Sequence, residues 1–185
     1  FCRELAGFDP WRNAPPDCAF YPKRAREWCC FFEKHIKLAR GDGFMGKNIR
    51  LMEWQALLVG WLFGWLHEDG RRRFDNVFVY IPKKNGKSAF TSALAAGLFI
   101  ADGETDKKIY CAANVKKQAG LVFNDAVYMI EHTGIDVAML RGTNDLSRKE
   151  VIYTPTRSLL TAISREAKNT EGVEPSAAIV DELHT

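Results

Sequence analysis

Two short stretches hold residue types that could work together on a phosphate. The first is Pro82-Lys83-Lys84-Asn85-Gly86-Lys87-Ser88. A phosphate-binding loop needs inward-turned backbone N–H groups, a lysine for the terminal phosphates, a hydroxyl for Mg²⁺ and a helix N-terminus aimed at the anion. Gly86 permits close backbone approach, Lys87 suits the phosphates and Ser88 suits the metal. The second stretch is Ile179-Val180-Asp181-Glu182, about 90 residues downstream, where an apolar run ends in two acids. Asp181 can hold Mg²⁺ opposite Ser88, and Glu182 can polarise an attacking water. Neither stretch is specific alone. Gly-Lys-Ser recurs by chance, and the glycine usual five residues before Gly86 is Ile81 here. An apolar run followed by acids is often a strand entering a solvated turn. In this order the two point to ATP and Mg²⁺ as ligands and to hydrolysis by a positioned water. A small-molecule kinase does not need the second acid there.

These residues need elements to position them. Val77–Ile81 is a short, continuous apolar run rich in β-formers, as in a strand buried on both faces of a parallel sheet. A helix is expected from about Ser88 to Ala101, a strand over 108–113 and a helix from about Val115 to His132. Two strands follow near 150–153 and 158–163, joined by a turn at Pro155, and a last strand covers 177–180. Alternating strands and helices predict an α/β domain of the P-loop NTPase class, with a largely parallel sheet flanked by helices. An acid at the C-terminal end of such a strand lies where these sheets bind ligands.

A helical N-terminal segment precedes this core. Residues 1–25 read as irregular, because Pro10, Pro15, Pro16 and Pro22 interrupt helices. A helix over 26–40 puts Trp28, Phe31, Phe32, His35, Ile36 and Ala39 on one face, with His35 packed or capping, and Gly41-Asp42-Gly43 stops it. A second helix, 53–66, is apolar nearly all round and predicts deep burial. Its apolar run from Trp54 to Leu66 has 13 residues, against about 20 for a membrane span. The division expected is 1–70 as an arm with a helical lid-like segment, and 71–185 as the ATPase core.

Composition narrows the field. Hydrophobic residues make up 46% of the 185, enough for a sizeable core. A net charge of +3 leaves any nucleic-acid contact to local clusters: Lys107-Lys108, Lys116-Lys117, Arg148-Lys149 and the run Arg71-Arg72-Arg73. Each also reads as a solvated face. The five cysteines, Cys2, Cys18, Cys29, Cys30 and Cys111, include no C-x-x-C pair. That supports reduced thiols and neither a zinc site nor a redox motif.

At this point the residues resemble a phage terminase large subunit, the ATPase of a DNA-packaging motor. The likeness covers roughly 26–185 and rests on segment order. Leu51-Met52-Glu53-Trp54-Gln55 is similar to the segment before the ATPase strand. Tyr80 to Ser88 is similar to a deviant phosphate loop in which the first glycine is often missing. Ser164 to Thr185 is similar to the approach to the catalytic acids. The resemblance implies that Gln55 lies near the adenine and that Pro82, Lys83, Lys84, Asn85, Gly86, Lys87 and Ser88 hold the phosphates. It also implies that Glu182 orients water and that an arginine stabilises the transferring group. The usual arginine position, before Gly172, holds Glu171 here, which leaves Arg165 and Arg157 as candidates, with Lys83 and Lys84 as charges in cis. The expected partners are double-stranded DNA, the portal protein, the terminase small subunit and further copies in a ring, in the host bacterial cytoplasm and away from membranes. The family's coupling strand and nuclease domain would lie beyond Thr185, so an ATPase portion without a nuclease site is expected. Another DNA-translocating ATPase or helicase of the same class, or a nucleotide-binding module that does not hydrolyse, remains open.

Overall fold

The structure, a computed structural model, describes residues 9–113, 116–134, 140–143, 150–164 and 174–181. Contacts divide the chain into two compact units. One comprises Phe1–Lys34 and Ile49–Ile81, the other His35–Asn48 and Pro82–Thr185.

In the first unit a short strand β1 (Cys18–Phe20) is followed by helix α1 (Pro22–His35), helix α2 (Glu53–Gly64) and strand β2 (Trp65–His67). Pro22 does not break α1; it opens it. The first helical residue has no use for an N–H, and proline's fixed φ suits the position. The helix stops at His35, which is exposed rather than packed, while Ile36 beyond it is fully buried. The Trp28 ring stacks on Phe63 at 3.7 Å between centroids, and Phe32 and Val59 are fully buried with it. Trp65 and Leu66 were expected in the second helix, yet they form β2 and pair antiparallel with β1. Trp11 and Phe20 each meet Trp65 at 5.5 Å, so the proline-rich arm packs by its aromatic rings. Arg73 donates to the carbonyls of Pro10 and Asn13, both at 2.6 Å. Arg71 pairs with Asp69 at 2.6 Å. This basic run therefore holds its own unit together.

Gly64 marks the tightest approach in that unit. A Cβ there would lie 2.6 Å from Phe20 Cε2 and 2.8 Å from Ala25 Cβ. Phe20 is pinned between two tryptophans, so relief must come at their expense. Gly64→Ala is expected to destabilise the fold by about 2 kcal/mol, seen as a lower thermal midpoint; an unchanged midpoint would mean that the arm yields freely.

The second unit is built on a five-stranded sheet in the order β4-β5-β6-β3-β7, from Leu140–Thr143, Glu150–Tyr153, Ser158–Ser164, Lys108–Ala113 and Ala177–Val180. β3 lies parallel to β6 and β7, and β4-β5-β6 is an antiparallel meander on one side. Helices α3 (Lys87–Ala101) and α4 (Lys116–Glu131) pack on each other and on β3 and β6. The core is Phe99, Ile109, Cys111, Ala126, Met129, Ile130 and Leu160. β3 is apolar and buried because it has strands on both sides and helices above. Lys107, expected on a basic surface, is only 3% exposed and donates to the Leu98 carbonyl at 2.7 Å, where it ties α3 to the start of β3.

One expected element is missing. Val77–Ile81 forms no strand; Phe78 is 77% and Tyr80 91% exposed. An apolar run states a demand for burial, but a strand also needs a ladder partner. Among the described residues this segment has none. Correspondingly, among the described residues β7 has β3 alone as neighbour and shows the alternating burial of an edge strand.

Candidate nucleotide site

The parallel strands β6, β3 and β7 end on one side of the sheet, and the candidate residues gather there. Asp181 follows β7 directly, and its N–H reaches the Ala112 carbonyl at 3.2 Å, which fixes the turn out of the strand. The loop Pro82–Gly86 leads into α3 through two left-handed residues, Lys84 (φ 69°) and Gly86 (φ 71°). Such a conformation suits glycine and strains lysine. Asn85 Nδ2 donates to Pro82 O at 3.2 Å and braces the loop from within. Gly86 is the residue before α3 and supplies no side-chain cap. The first-turn N–H groups of α3 are therefore left for an anion, and the helix dipole favours one there. Inside α3, Thr91 and Ser92 turn their hydroxyls back on the carbonyls of Lys87 and Ser88, so the hydroxyl of Ser88 remains the one at the mouth.

Lys87 Nζ lies 3.7 Å from Asp181 Oδ1, with the carboxylate side chain only 12% exposed. The two motifs separated in sequence thus meet in space. Ser88 and Asp181 line one cavity of about 340 Å³, together with Arg40, Gln118, Leu121 and Asp125. Arg40 Nε donates to Asp125 Oδ1 at 2.6 Å and its Nη2 reaches the Leu121 carbonyl. Burial pushes the Asp125 carboxyl up from the usual range, and Arg40 opposes that. Arg40 sits in the 35–48 loop, which joins this unit from an earlier part of the chain. No motif or periodicity marks it in the sequence.

The other expected residues fall differently. Pro82, Lys83, Lys84 and Asn85 are exposed on the loop. Gln55, in the first unit, is 2% exposed, and its Oε1 accepts the Met52 N–H at 2.9 Å, capping α2. Arg157 precedes β6, at the far end of the parallel strands from Asp181, and is bound to Asp106 at 2.8 Å. The structure does not bring it to the loop. Glu182, Arg165 and Arg148-Lys149 lie outside the described residues, as do the side chains of Lys116-Lys117.

A loop with an uncapped helix start, facing an acid at a strand's C-terminal end, is an arrangement suited to a phosphate. The family model of the terminase large subunit, ATPase domain, matches residues 53–185. The chain belongs to that family. The terminase fold is also seen in a solved structure, that of the HK97 bacteriophage large terminase. It matches with a TM-score of 0.70 at 24% identity, over 89% of this chain and 31% of that one. This chain therefore spans about a third of that terminase. No curated protein sequence matches. The α/β fold is that of the terminase ATPase domain, and membership of an ATPase domain family implies a nucleotide as ligand. No helix among the described residues is long and apolar enough to cross a membrane.

Proposed function

We propose that this chain is the ATP-hydrolysing part of a phage DNA-packaging motor that drives double-stranded DNA into a capsid. The observation carrying the reading is the approach of Lys87 to Asp181 beside the uncapped start of α3. Lys87, with the backbone of Pro82–Gly86, would take the phosphates, and Lys83 and Lys84 would add positive charge at the rim. The Ser88 hydroxyl and the Asp181 carboxylate are hard oxygen donors on one cavity wall, a set that fits Mg²⁺. When bound there, the ion would neutralise charge on the β- and γ-phosphates. Glu182, next along the chain, would orient the water. The adenine contact at Gln55 rests on the resemblance alone, since its Oε1 is committed to the start of α2. Arg165 is the remaining candidate for the charge-stabilising arginine, in cis or from a neighbouring copy. The partners proposed are the DNA, the portal, the small subunit and further copies in a ring, in the bacterial cytoplasm.

The test is Mg²⁺-dependent ATP hydrolysis, measured with and without double-stranded DNA. Turnover that rises several-fold with DNA supports the motor reading. Turnover indifferent to DNA would count against the motor reading. Binding without turnover would leave a nucleotide-binding module.

A further inference from the structure

A second cluster with chemical potential lies in the first unit, away from any role in the ATP reading. Cys18 and His67 are direct cross-strand partners in the β1–β2 ladder, so their side chains stand on one face. Cys18 Sγ lies 3.2 Å from His67 Nδ1, and Asp17 Oδ2 lies 2.6 Å from the same nitrogen. One donor atom from each of the three residues falls within 4.8 Å of the others. Sequence spacing could not reveal this, since 49 residues separate the cysteine from the histidine and the ladder register alone brings them together.

We propose that Asp17, Cys18 and His67 form a zinc site with three protein ligands and a fourth position open to water. A thiolate, an imidazole and a carboxylate together select zinc over magnesium or calcium. The distances are close to what zinc requires. Bonds of about 2.3 Å to sulfur and about 2.0 Å to nitrogen and oxygen, arranged tetrahedrally, separate sulfur from nitrogen by about 3.5 Å and nitrogen from oxygen by about 3.3 Å. The Cys18–His67 spacing is already near the first value. The Asp17 carboxylate must back away by about 0.7 Å, and its side chain is half exposed and free to do so. Burial first, and the Asp17 charge second, raise the Cys18 thiol above its ordinary pKa. Zinc would reverse that by binding the thiolate and releasing the proton. Arg73 is the nearby positive charge; its donors are engaged by Pro10 and Asn13, so it favours the thiolate without occupying it. The consequence is structural: the ion would tie the arm that packs on Trp65 to the strand carrying His67.

The test uses the full chain, stripped with a chelator and titrated with Co²⁺ as a spectroscopic probe. The expected result is a thiolate-to-cobalt charge-transfer band that saturates at one equivalent and is displaced by Zn²⁺. Cys18→Ser should abolish the band, Cys30→Ser should leave it, and Asp17→Asn should weaken binding by roughly 10- to 100-fold. Absence of the band, or its survival in Cys18→Ser, overturns the proposal. A measurement on the unaltered protein guards against misfolding of the variant. Zn²⁺ should slow alkylation of Cys18 at least about tenfold, in keeping with metal ligation of the thiolate, while exposed Cys30 reacts as before. Equal alkylation of Cys18 with and without Zn²⁺ also overturns it.

Discussion

Lys87→Ala should weaken nucleotide binding by about 100-fold while leaving the chain folded. The ammonium is the positive charge that the structure pairs with Asp181 where the loop enters α3. A charged hydrogen bond of this kind contributes roughly 3 kcal/mol, which corresponds to a loss of about 100-fold in affinity. Hydrolysis should fall further, because the same charge meets the phosphoryl group more strongly as negative charge develops. Stability should change little, since the Lys87 side chain is 36% exposed and its contact with Asp181, at 3.7 Å, is long for an ion pair. The measurement is equilibrium binding of a fluorescent ATP analogue with Mg²⁺, paired with thermal unfolding. Binding within about threefold of the unaltered chain, in a sample with an unchanged midpoint, would remove Lys87 from the site, because even the weakest charged contact is worth more than that.

Glu182→Gln should do the reverse: keep the nucleotide and stop the chemistry. Its predecessor, Asp181, is fixed at the end of β7 by the bond from its N–H to Ala112 O. A glutamine keeps size and hydrogen-bonding capacity but cannot accept the proton of the attacking water. Loss of a general base costs about 10²- to 10⁴-fold in kcat, with affinity nearly unchanged. Single-turnover hydrolysis and binding on the same sample separate the two effects. If kcat stays within tenfold, Glu182 is not the base.

Much of the scaffold around the candidate site can be read from the sequence because the signals are local. The run 108–113 forms β3 over those residues, and the glycine-to-serine junction before an apolar helix gives α3 to within one residue at its start. The pair Asp181-Glu182 marks a strand end correctly because apolar residues stop where the sheet does. What fails is non-local. Val77–Ile81 has the composition of a buried strand, yet it lacks a ladder partner among the described residues and stays exposed. β1 and β2 are three residues each and pair with each other across a long stretch of sequence. Lys107 looks like surface charge, but its long stem lets it cross the core edge to a helix carbonyl. Arg40 reaches the cavity through a contact with Asp125, 85 positions away. Periodicity carries no information about such meetings.

The pairing of Lys87 with Asp181 has a thermodynamic consequence. Each is the other's counter-ion, and each is also the group through which phosphate or cation would be met. If Lys87 turns to a nucleotide alone, Asp181 is left facing added negative charge. If Asp181 turns to a divalent cation alone, Lys87 is left facing added positive charge. Either ligand by itself meets a repulsion that the other removes, so the two should bind cooperatively. Linkage makes that cooperativity reciprocal: the factor by which Mg²⁺ tightens ATP must equal the factor by which ATP tightens Mg²⁺. Neutralising Asp181 as Asp181→Asn should shrink both factors together, and should leave metal-free ATP binding tighter than in the unaltered chain.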